Sequence, residues 1–188
     1  MINRLATFID AATVELEEAN RKLTEMAIAD SMTKLLNRGE IQRRIKESVK
    51  VFEETGEKFS LLMYDIDFFK QVNDACGHKE GDAVILKLAD VSRRAIKDHA
   101  PEASIGRWGG EEFMILLPGI QAERAQLLAE VIRTSFAAVD FTVAHHKTIS
   151  LGVTEVCEND SSDKILMRVD NALYKAKKQG RNQIVVMR

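Results

Sequence analysis

The segment RWGGEEF, residues 107–113, places two adjacent glycines between two short apolar runs and follows them with two glutamates. The runs, ASIGRW and EFMILLPG, have the length of strands. Paired glycines can supply the positive φ angles of a two-residue turn, so we predict a β-hairpin with Glu111 and Glu112 just beyond its tip. Taken alone, such a tip could also be an ordinary solvated turn. The hairpin nevertheless commits this part of the chain to an antiparallel sheet.

The rest of the sequence alternates between helical periodicity and short apolar runs. Helices are predicted at 35–56, 80–99, 121–139 and 161–180, and further strands at 59–67, 141–146, 147–156 and 183–187. This order predicts an α/β fold of the α+β sandwich type, with helices packed on one central sheet.

Residues 1–28 have the periodicity of a coiled coil. Apolar side chains recur at alternating steps of three and four, at Ile2, Leu5, Ile9, Ala12, Leu16, Ala19, Leu23 and Met26. An amphipathic helix lying on its own domain is the alternative, although it would usually show a wider apolar face. We therefore expect an N-terminal coiled-coil or signalling helix, 1–28, that self-associates in parallel, followed by a second domain, 29–188.

Composition excludes several classes of function. The formal net charge of −2 argues against general electrostatic binding of nucleic acid or membranes, so we expect no DNA partner. Cys76 and Cys157 are too few for a disulfide framework or a zinc site. No apolar run approaches the roughly 18 residues of a membrane span, and no signal-peptide pattern is present. We expect a cytoplasmic chain without direct membrane insertion, which could be a fragment of a longer protein.

A second acidic cluster follows another apolar run. Asp65 and Asp67 end FSLLMYDID, and buried carboxylates are costly unless something positive meets them. If this strand neighbours the hairpin, Asp65 and Glu111 can meet around one site. Magnesium binds one or two carboxylates together with substrate phosphates, which suits phosphoryl or nucleotidyl transfer. Lys177 and Arg181 could complete such a site, although basic residues near a helix end are also favourable in their own right.

Four segments occur in order: DSMTKLLNR at 30–38, DIDFFKQVNDACGHKEGD at 65–82, RWGGEEF at 107–113 and RVDNALYKAKKQGRN at 168–182. Together they closely resemble the GGDEF family of diguanylate cyclases, over roughly residues 28–188. The resemblance implies condensation of two GTP molecules to cyclic di-GMP and two pyrophosphates, across a two-fold dimer of GTP-loaded half-sites. It also implies a central, mostly antiparallel sheet flanked by helices, similar to the palm of nucleotidyl cyclases and polymerases.

The resemblance assigns the metal ligands and the catalytic groups. Asp65, Glu111 and the carbonyl of Ile66 would bind Mg²⁺, for which Mn²⁺ can substitute. Glu111 stands in place of the aspartate that gives the family its name, and it still supplies a carboxylate. Glu112 would lie near the attacking 3′-hydroxyl, with no general base assigned. The catalytic set is then Asp65, Lys70, Glu111 and Glu112.

The resemblance also assigns the substrate contacts. Asn73 and Asp82 would hydrogen-bond the guanine edge, and adenine would leave that amide and carboxylate with unpaired partners. An aspartate at 82 favours the product with two guanines. The triphosphate would be held by Phe69, Lys70, Lys177 and Arg181. Three aromatic side chains are expected to pack around the site without stacking on a base: Phe68, Trp108 and Phe113.

One departure from the family concerns regulation. Many members carry an RxxD motif that binds product as a feedback inhibitor, whereas here the matching residues, 100–103, are APEA. We expect this form of product inhibition to be absent or weak. The expected partners are GTP, a second copy of the chain through the N-terminal helix, and an upstream sensory domain in a longer protein.

Two other functions are compatible with parts of the sequence. One is a catalytically inactive GGDEF domain that binds GTP or cyclic di-GMP as a signalling module. The other is a dimerisation module whose acidic hairpin tip is incidental, which would leave the four ordered segments unexplained.

Overall fold

The computed structural model describes residues 28–188. Within them the helices are Arg38–Thr55 (α1), Phe69–Cys76 (α2), His78–His99 (α3), Ala122–Ala137 (α4) and Ser162–Lys178 (α5). The strands are Phe59–Ile66 (β1), Ser104–Arg107 (β2), Glu112–Pro118 (β3), Ile149–Glu155 (β4) and Ile184–Met187 (β5). The coiled coil predicted for residues 1–28 lies outside the described residues, apart from residue 28 itself.

The strands form one sheet in the order β2-β3-β1-β4-β5. All neighbours pair antiparallel except β4 and β5, which are parallel. The predicted fold, a mostly antiparallel sheet flanked by helices, is confirmed. The predicted hairpin is also present, as β2 and β3, and β3 lies directly beside the central strand β1.

Both faces of β1 are buried, which explains why its sequence is continuously apolar up to Asp65. Leu62, Tyr64 and Ile66 belong to the core that includes residues of α2, α3 and α4. Leu61 and Met63 point the other way, into the core shared with α1 and α5. Since side chains alternate along a strand, Asp65 shares the face of Met63 and α5.

The segment that precedes α1 covers the outer edge of the sheet. Leu36 donates its backbone N–H to Ile105 O at 3.1 Å, and Arg107 N donates to Leu36 O at 2.8 Å. Gly106 lies underneath, where a Cβ would come 3.0 Å from Leu36 O and 2.9 Å from Ile41 Cβ. The start of the described chain is thereby attached to the hairpin strand that leads to the two glutamates.

Two local predictions were wrong. Helix α2 was not predicted, because a helix of eight residues with only Phe69 and Val72 buried shows too little periodicity. The strand predicted at 141–146 is instead a turn, closed by a bond from His145 N to Phe141 O at 3.0 Å. Its buried residues, Phe141 and Ala144, are three apart, which is the spacing of a turn.

None of the helices described between residues 28 and 188 is long and apolar enough to cross a membrane.

Candidate active site

Asp65 lies near the end of β1, opposite Glu112 on β3 and Ser150 on β4. Only 7% of Asp65 is exposed. Its Oδ2 atom is 2.9 Å from Nζ of Lys177, which projects from the last turn of α5. The structure thus joins a strand carboxylate and a helix cation that are more than a hundred residues apart in the sequence.

The carboxylates of the hairpin lie close enough to Asp65 to change its ionisation. Burial, the largest effect, raises the pKa of Asp65, and the negative charges of Glu111 and Glu112 add to the rise. Lys177 lowers the pKa, and the net value is about 6. Asp65, Glu111 and Glu112 are therefore gathered at one end of the sheet. This is the arrangement expected if the acidic strand and the hairpin were neighbours.

The hairpin tip differs from the predicted two-residue turn. Neither Gly109 nor Gly110 has the left-handed backbone for which glycine was expected. Instead, Trp108 N and Gly109 N both donate to Glu112 O, at 2.8 and 3.2 Å, which closes a wider loop. A Cβ at Gly109 would come 2.6 Å from Oε2 of Glu112, so the carboxylate lies close beside this glycine. Its lack of a side chain leaves room for that carboxylate.

Arg107 holds the hairpin loop through its side chain. Its Nε and Nη2 atoms donate to Gly110 O at 3.0 and 2.7 Å, and Nη1 lies 3.3 Å from Oδ1 of Asp30. Asp30 also accepts from the N–H and the hydroxyl of Thr33, at 2.7 and 2.8 Å. The segment ahead of α1 is thus linked through one arginine to the loop that carries Glu111.

Helices α2 and α3 meet at the residues assigned to guanine. A Cβ at Gly81 would lie 2.0 Å from Oδ1 of Asn73 and 3.2 Å from Cζ of Phe69. The Asn73 amide therefore lies directly against the backbone of α3. Asp82, the next residue, is exposed at the start of the second turn of α3. An amide and a carboxylate are thereby presented from neighbouring helices.

The residues assigned to the triphosphate are less uniformly placed. Phe69 is buried, whereas Lys70 is exposed in the first turn of α2 and forms no ion pair with any of residues 28–188. The guanidinium of Arg181 lies 4.3 Å from the ring centre of Phe68. Phe68 is itself 54% exposed, and its expected packing around the site stays a prediction.

Trp108 and Phe113 have partners within the domain. Arg38 lies over the Trp108 ring at 4.6 Å, and Phe113 stacks on Tyr64 with ring centres 5.4 Å apart. Residues 100–103, which replace the RxxD motif, form the turn between α3 and β2, with Ala100 buried.

Asp67 was noticed in the sequence but given no role. It is 3% exposed, and its carboxylate accepts hydrogen bonds from Thr148 Oγ1 at 2.7 Å, Ser150 Oγ at 2.6 Å and Asn182 N at 3.0 Å. The signal that could have found it is the strand period, which places Asp67 on the same face as Asp65. Its partners come from distant segments that local patterns do not connect.

The donor set fits a divalent cation that prefers oxygen. Asp65, Glu111 and the carbonyl of Ile66 offer oxygen atoms at one strand end. Burial first, and then the charges of Glu111 and Glu112, raise the pKa of Asp65 despite the contact with Lys177, and a bound cation would favour the charged form. Among residues 28–188, no group of three or more His, Cys, Asp or Glu side chains is arranged to hold a metal alone. Further ligands would have to come from a bound phosphate or from water.

Comparison with known sequences identifies the relatives of this arrangement. The sequence model described as "Diguanylate cyclase, GGDEF domain" matches residues 27–183. The diguanylate cyclase DgcM of Escherichia coli K12 is 38% identical over 172 residues, which cover 91% of this chain and 41% of DgcM. The response regulator PleD of Caulobacter vibrioides is 38% identical over 167 residues, covering 86% of this chain and 36% of PleD. The chain thus spans about two fifths of the length of these relatives.

Solved structures show the same fold. A crystal structure of the coiled coil and GGDEF domain of DgcB from Caulobacter crescentus, in complex with c-di-GMP, matches with a TM-score of 0.89 and 30% identity. The match covers 98% of this chain and 97% of that chain. The active GGEEF domain of a diguanylate cyclase from Vibrio cholerae matches with a TM-score of 0.76 and 36% identity, over 82% of this chain and 98% of that chain.

Proposed function

Because the chain belongs to the GGDEF family, we propose that it is a diguanylate cyclase, which condenses two GTP molecules to cyclic di-GMP and releases two pyrophosphates. The observation that supports this most strongly is the cluster at the end of β1, where Asp65, Glu111, Glu112 and Lys177 gather. Positioning and charge account for most of the catalysis in nucleotidyl transfer, and this cluster supplies both.

In this proposal, Asn73 and Asp82 recognise the guanine base. The Asn73 amide lies against the backbone at Gly81, in the space that a side chain at that position would take. Asp82 can accept from the ring N–H and the amino group of guanine, and adenine offers no matching pair of donors. This combination supports GTP as the substrate and a product with two guanines.

On the phosphate side, Phe69 and Lys70 at the start of α2 hold the triphosphate together with Lys177 and Arg181. Mg²⁺, or Mn²⁺ in its place, would be held by Asp65, Glu111 and the Ile66 carbonyl, and it would neutralise charge on the phosphates during transfer. Lys177 contacts Asp65 in the present structure, so it lies beside the proposed metal site from the start.

The reaction joins two molecules bound in two copies of the domain. The 3′-hydroxyl of one GTP attacks the α-phosphorus of the other, and pyrophosphate leaves as the new ester forms, once in each direction. Glu112 lies near the attacking hydroxyl. A two-fold arrangement brings the two half-sites face to face, and a parallel pairing of residues 1–28 would impose it. A sensory domain upstream in a longer protein would set how often the half-sites meet.

The test begins with the purified chain, GTP and Mg²⁺, with the nucleotides separated by chromatography and identified by mass. We expect a Mg²⁺-dependent cyclic di-GMP peak that Glu111→Ala removes. Glu102→Ala, which changes an exposed glutamate in the α3–β2 turn, is the matched control and should keep the activity. If wild type binds GTP in calorimetry but makes no product at any protein concentration, the chain is a binding module and the proposal is wrong.

A further inference from the structure

We propose that Asp67 is a positioning residue that holds Arg181 at the triphosphate end of the site. The inference rests on the proposed function, because it concerns how the chain prepares one of its phosphate-binding groups. Asp67 follows the assigned metal ligands Asp65 and Ile66 in the sequence, yet its carboxylate contacts neither Lys177 nor any other cation in residues 28–188. Its bonds run to hydroxyls and to one backbone N–H.

That backbone N–H belongs to the turn that carries Arg181. Arg181 and Asn182 have left-handed backbones, with φ of 64° and 47°. A residue with a side chain adopts this conformation only where its surroundings favour it, at a cost of about 1 kcal/mol or more. The bond from Asn182 N to Asp67 Oδ2, at 3.0 Å, is one such favourable contact. Arg133 Nη1 supplies a second, 2.6 Å from Oδ1 of Asn182.

A third left-handed residue lies on the other side of Asp67. Phe68 has φ of 58°, and its exposed ring lies against the Arg181 guanidinium at 4.3 Å. An arginine over an aromatic face is held by attraction to the ring electrons. Asp67 therefore connects two turns. Its backbone leads directly into the turn at Phe68, and its carboxylate accepts a hydrogen bond from the turn at Asn182. The Arg181 guanidinium lies between these turns and is held by both.

A purely structural role for Asp67 would be to hold β1 against β4, through Thr148 and Ser150. The backbone already performs that task. The two strands pair from Ser60↔Glu155 to Ile66↔Ile149, and Asp67 N continues the ladder by donating to Thr148 O at 2.9 Å. The bond from Asn182 N to Asp67 is not part of this strand pairing, and it links Asp67 to the turn that carries Arg181.

The two roles can be separated by ligands of different length. The probe is 3′-deoxyguanosine triphosphate, which lacks the attacking hydroxyl and so binds without reacting. The comparison ligand is GMP, which lacks the β- and γ-phosphates. Calorimetry with Mg²⁺ is performed on wild type, Asp67→Ala, Asp67→Asn and Ser150→Ala. In Asp67→Asn the amide oxygen can still accept from Asn182 N while its NH₂ faces the Ser150 hydroxyl. Ser150→Ala removes a bond to the same carboxylate without touching the turn.

We expect Asp67→Ala to bind the triphosphate about tenfold more weakly, the effect of losing a hydrogen bond to a charged group, with GMP affinity unchanged. Asp67→Asn and Ser150→Ala should bind close to wild type. Since Asp67 acts through Arg181, adding Asp67→Ala to Arg181→Ala should cause no further loss of triphosphate affinity. If Asp67→Ala does not fold, Asp67→Ser replaces it, because a serine hydroxyl is too short to reach Asn182 N.

Three results would overturn the inference while leaving the proposed function intact: unchanged triphosphate affinity in Asp67→Ala, equal weakening of GMP, or full additivity with Arg181→Ala. Failure of wild type to bind 3′-deoxyguanosine triphosphate would instead refute the proposed function, and the role of Asp67 with it.

Discussion

At the scale of single residues, Asp65 combines burial with neighbouring negative charge. A carboxylate in such a place lowers the stability of the empty protein, since desolvation and the charges of Glu111 and Glu112 oppose its ionisation. Lys177 offsets only part of this effect, because the pKa of Asp65 still rises to about 6. The site is therefore adapted to a ligand rather than to the stability of the free chain.

We expect Asp65→Asn to raise the free energy of unfolding at pH 7.5, in the absence of nucleotide and metal, by about 3 kcal/mol. The pKa of Asp65 in the folded protein, about 6, lies above the ordinary 3.8. As the pH rises, Asp65 therefore ionises first in the unfolded chain, and this ionisation favours unfolding of the wild-type protein. The extra stability of Asp65→Asn over wild type should thus be complete above pH 6 and disappear toward about pH 4. Urea denaturation at several pH values, with Asp98→Asn as an exposed control, measures it. A less stable Asp65→Asn at pH 7.5 would mean that the bond to Lys177 outweighs the burial.

Gly81 is a second residue with a specific requirement. The methyl group of Gly81→Ala would meet Oδ1 of Asn73 at 2.0 Å and force the amide away from α3. We expect the KM for GTP to rise about tenfold, with a smaller change in kcat, because guanine recognition loses one of its two groups. Gly39→Ala, whose methyl would lie 3.4 Å from its nearest neighbour, is the matched control. Kinetics indistinguishable from wild type would remove Asn73 from guanine recognition.

At the scale of elements, α5 is the carrier of Lys177, and its position depends on one glycine of β4. A Cβ at Gly152 would lie 2.4 Å from Val169 O and 2.5 Å from Leu173 N, both backbone atoms of α5. The helix therefore packs directly on the strand backbone, which sets how far Lys177 reaches toward Asp65.

We expect Gly152→Ala to lower the free energy of unfolding by about 3 kcal/mol, because the backbone of α5 has to move away from the sheet. Thermal or urea unfolding monitored by circular dichroism gives the value. Gly110→Ala serves as the comparison, since its methyl group would meet no atom within 4 Å and its stability should match wild type. Equal stability of the two variants would show that α5 adjusts without cost.

Most helices and strands could be predicted because each one shows its pattern of apolar residues within a single short segment of the sequence. Helix α1, for example, is capped after Thr55 by Gly56, whose φ of 74° is the left-handed conformation that glycine readily adopts. The contacts that make the site are not local. Lys177 meets Asp65, and Asn182 meets Asp67, only after β4 and α5 have packed on β1. Without the family resemblance, the sequence alone shows acidic residues at two strand ends but cannot pair them with their partners.

The same limit explains the hairpin tip. The glycine pair correctly predicted a turn between two strands, but the backbone angles were wrong, because paired glycines also occur where a neighbouring side chain needs the space. Here that side chain is Glu112, beside Gly109. The carboxylate and its glycine belong to one local motif, although nothing in the spacing shows which way the side chain turns.

At the scale of the whole molecule, the proposed chemistry needs two copies of the domain. Each copy would bind one GTP, so the assigned groups would form half of a reaction centre. The rate per molecule should then depend on how the copies associate. Residues 1–28 are proposed to provide that association.

We expect the double variant Leu16→Glu, Leu23→Glu to lose most of its specific activity at low protein concentration and to regain it as the concentration rises. Charges at these positions would disrupt a coiled-coil seam, so encounter of the half-sites would become bimolecular. Initial rates over a hundredfold range of protein concentration test this, with Glu15→Gln, Lys22→Gln as a control outside the seam. Full activity of the seam variant at the lowest concentration would refute pairing through residues 1–28.

The contact between Lys177 and Asp65 also bears on how a newly made chain matures. Folding gathers three carboxylates before any nucleotide is present, and the ammonium group of α5 gives that cluster a provisional counter-ion from within the chain. Charge compensation therefore does not wait for a ligand. If the site binds a divalent ion as proposed, Asp65 would exchange Lys177 for that ion, and the released lysine would be free to contact the phosphates.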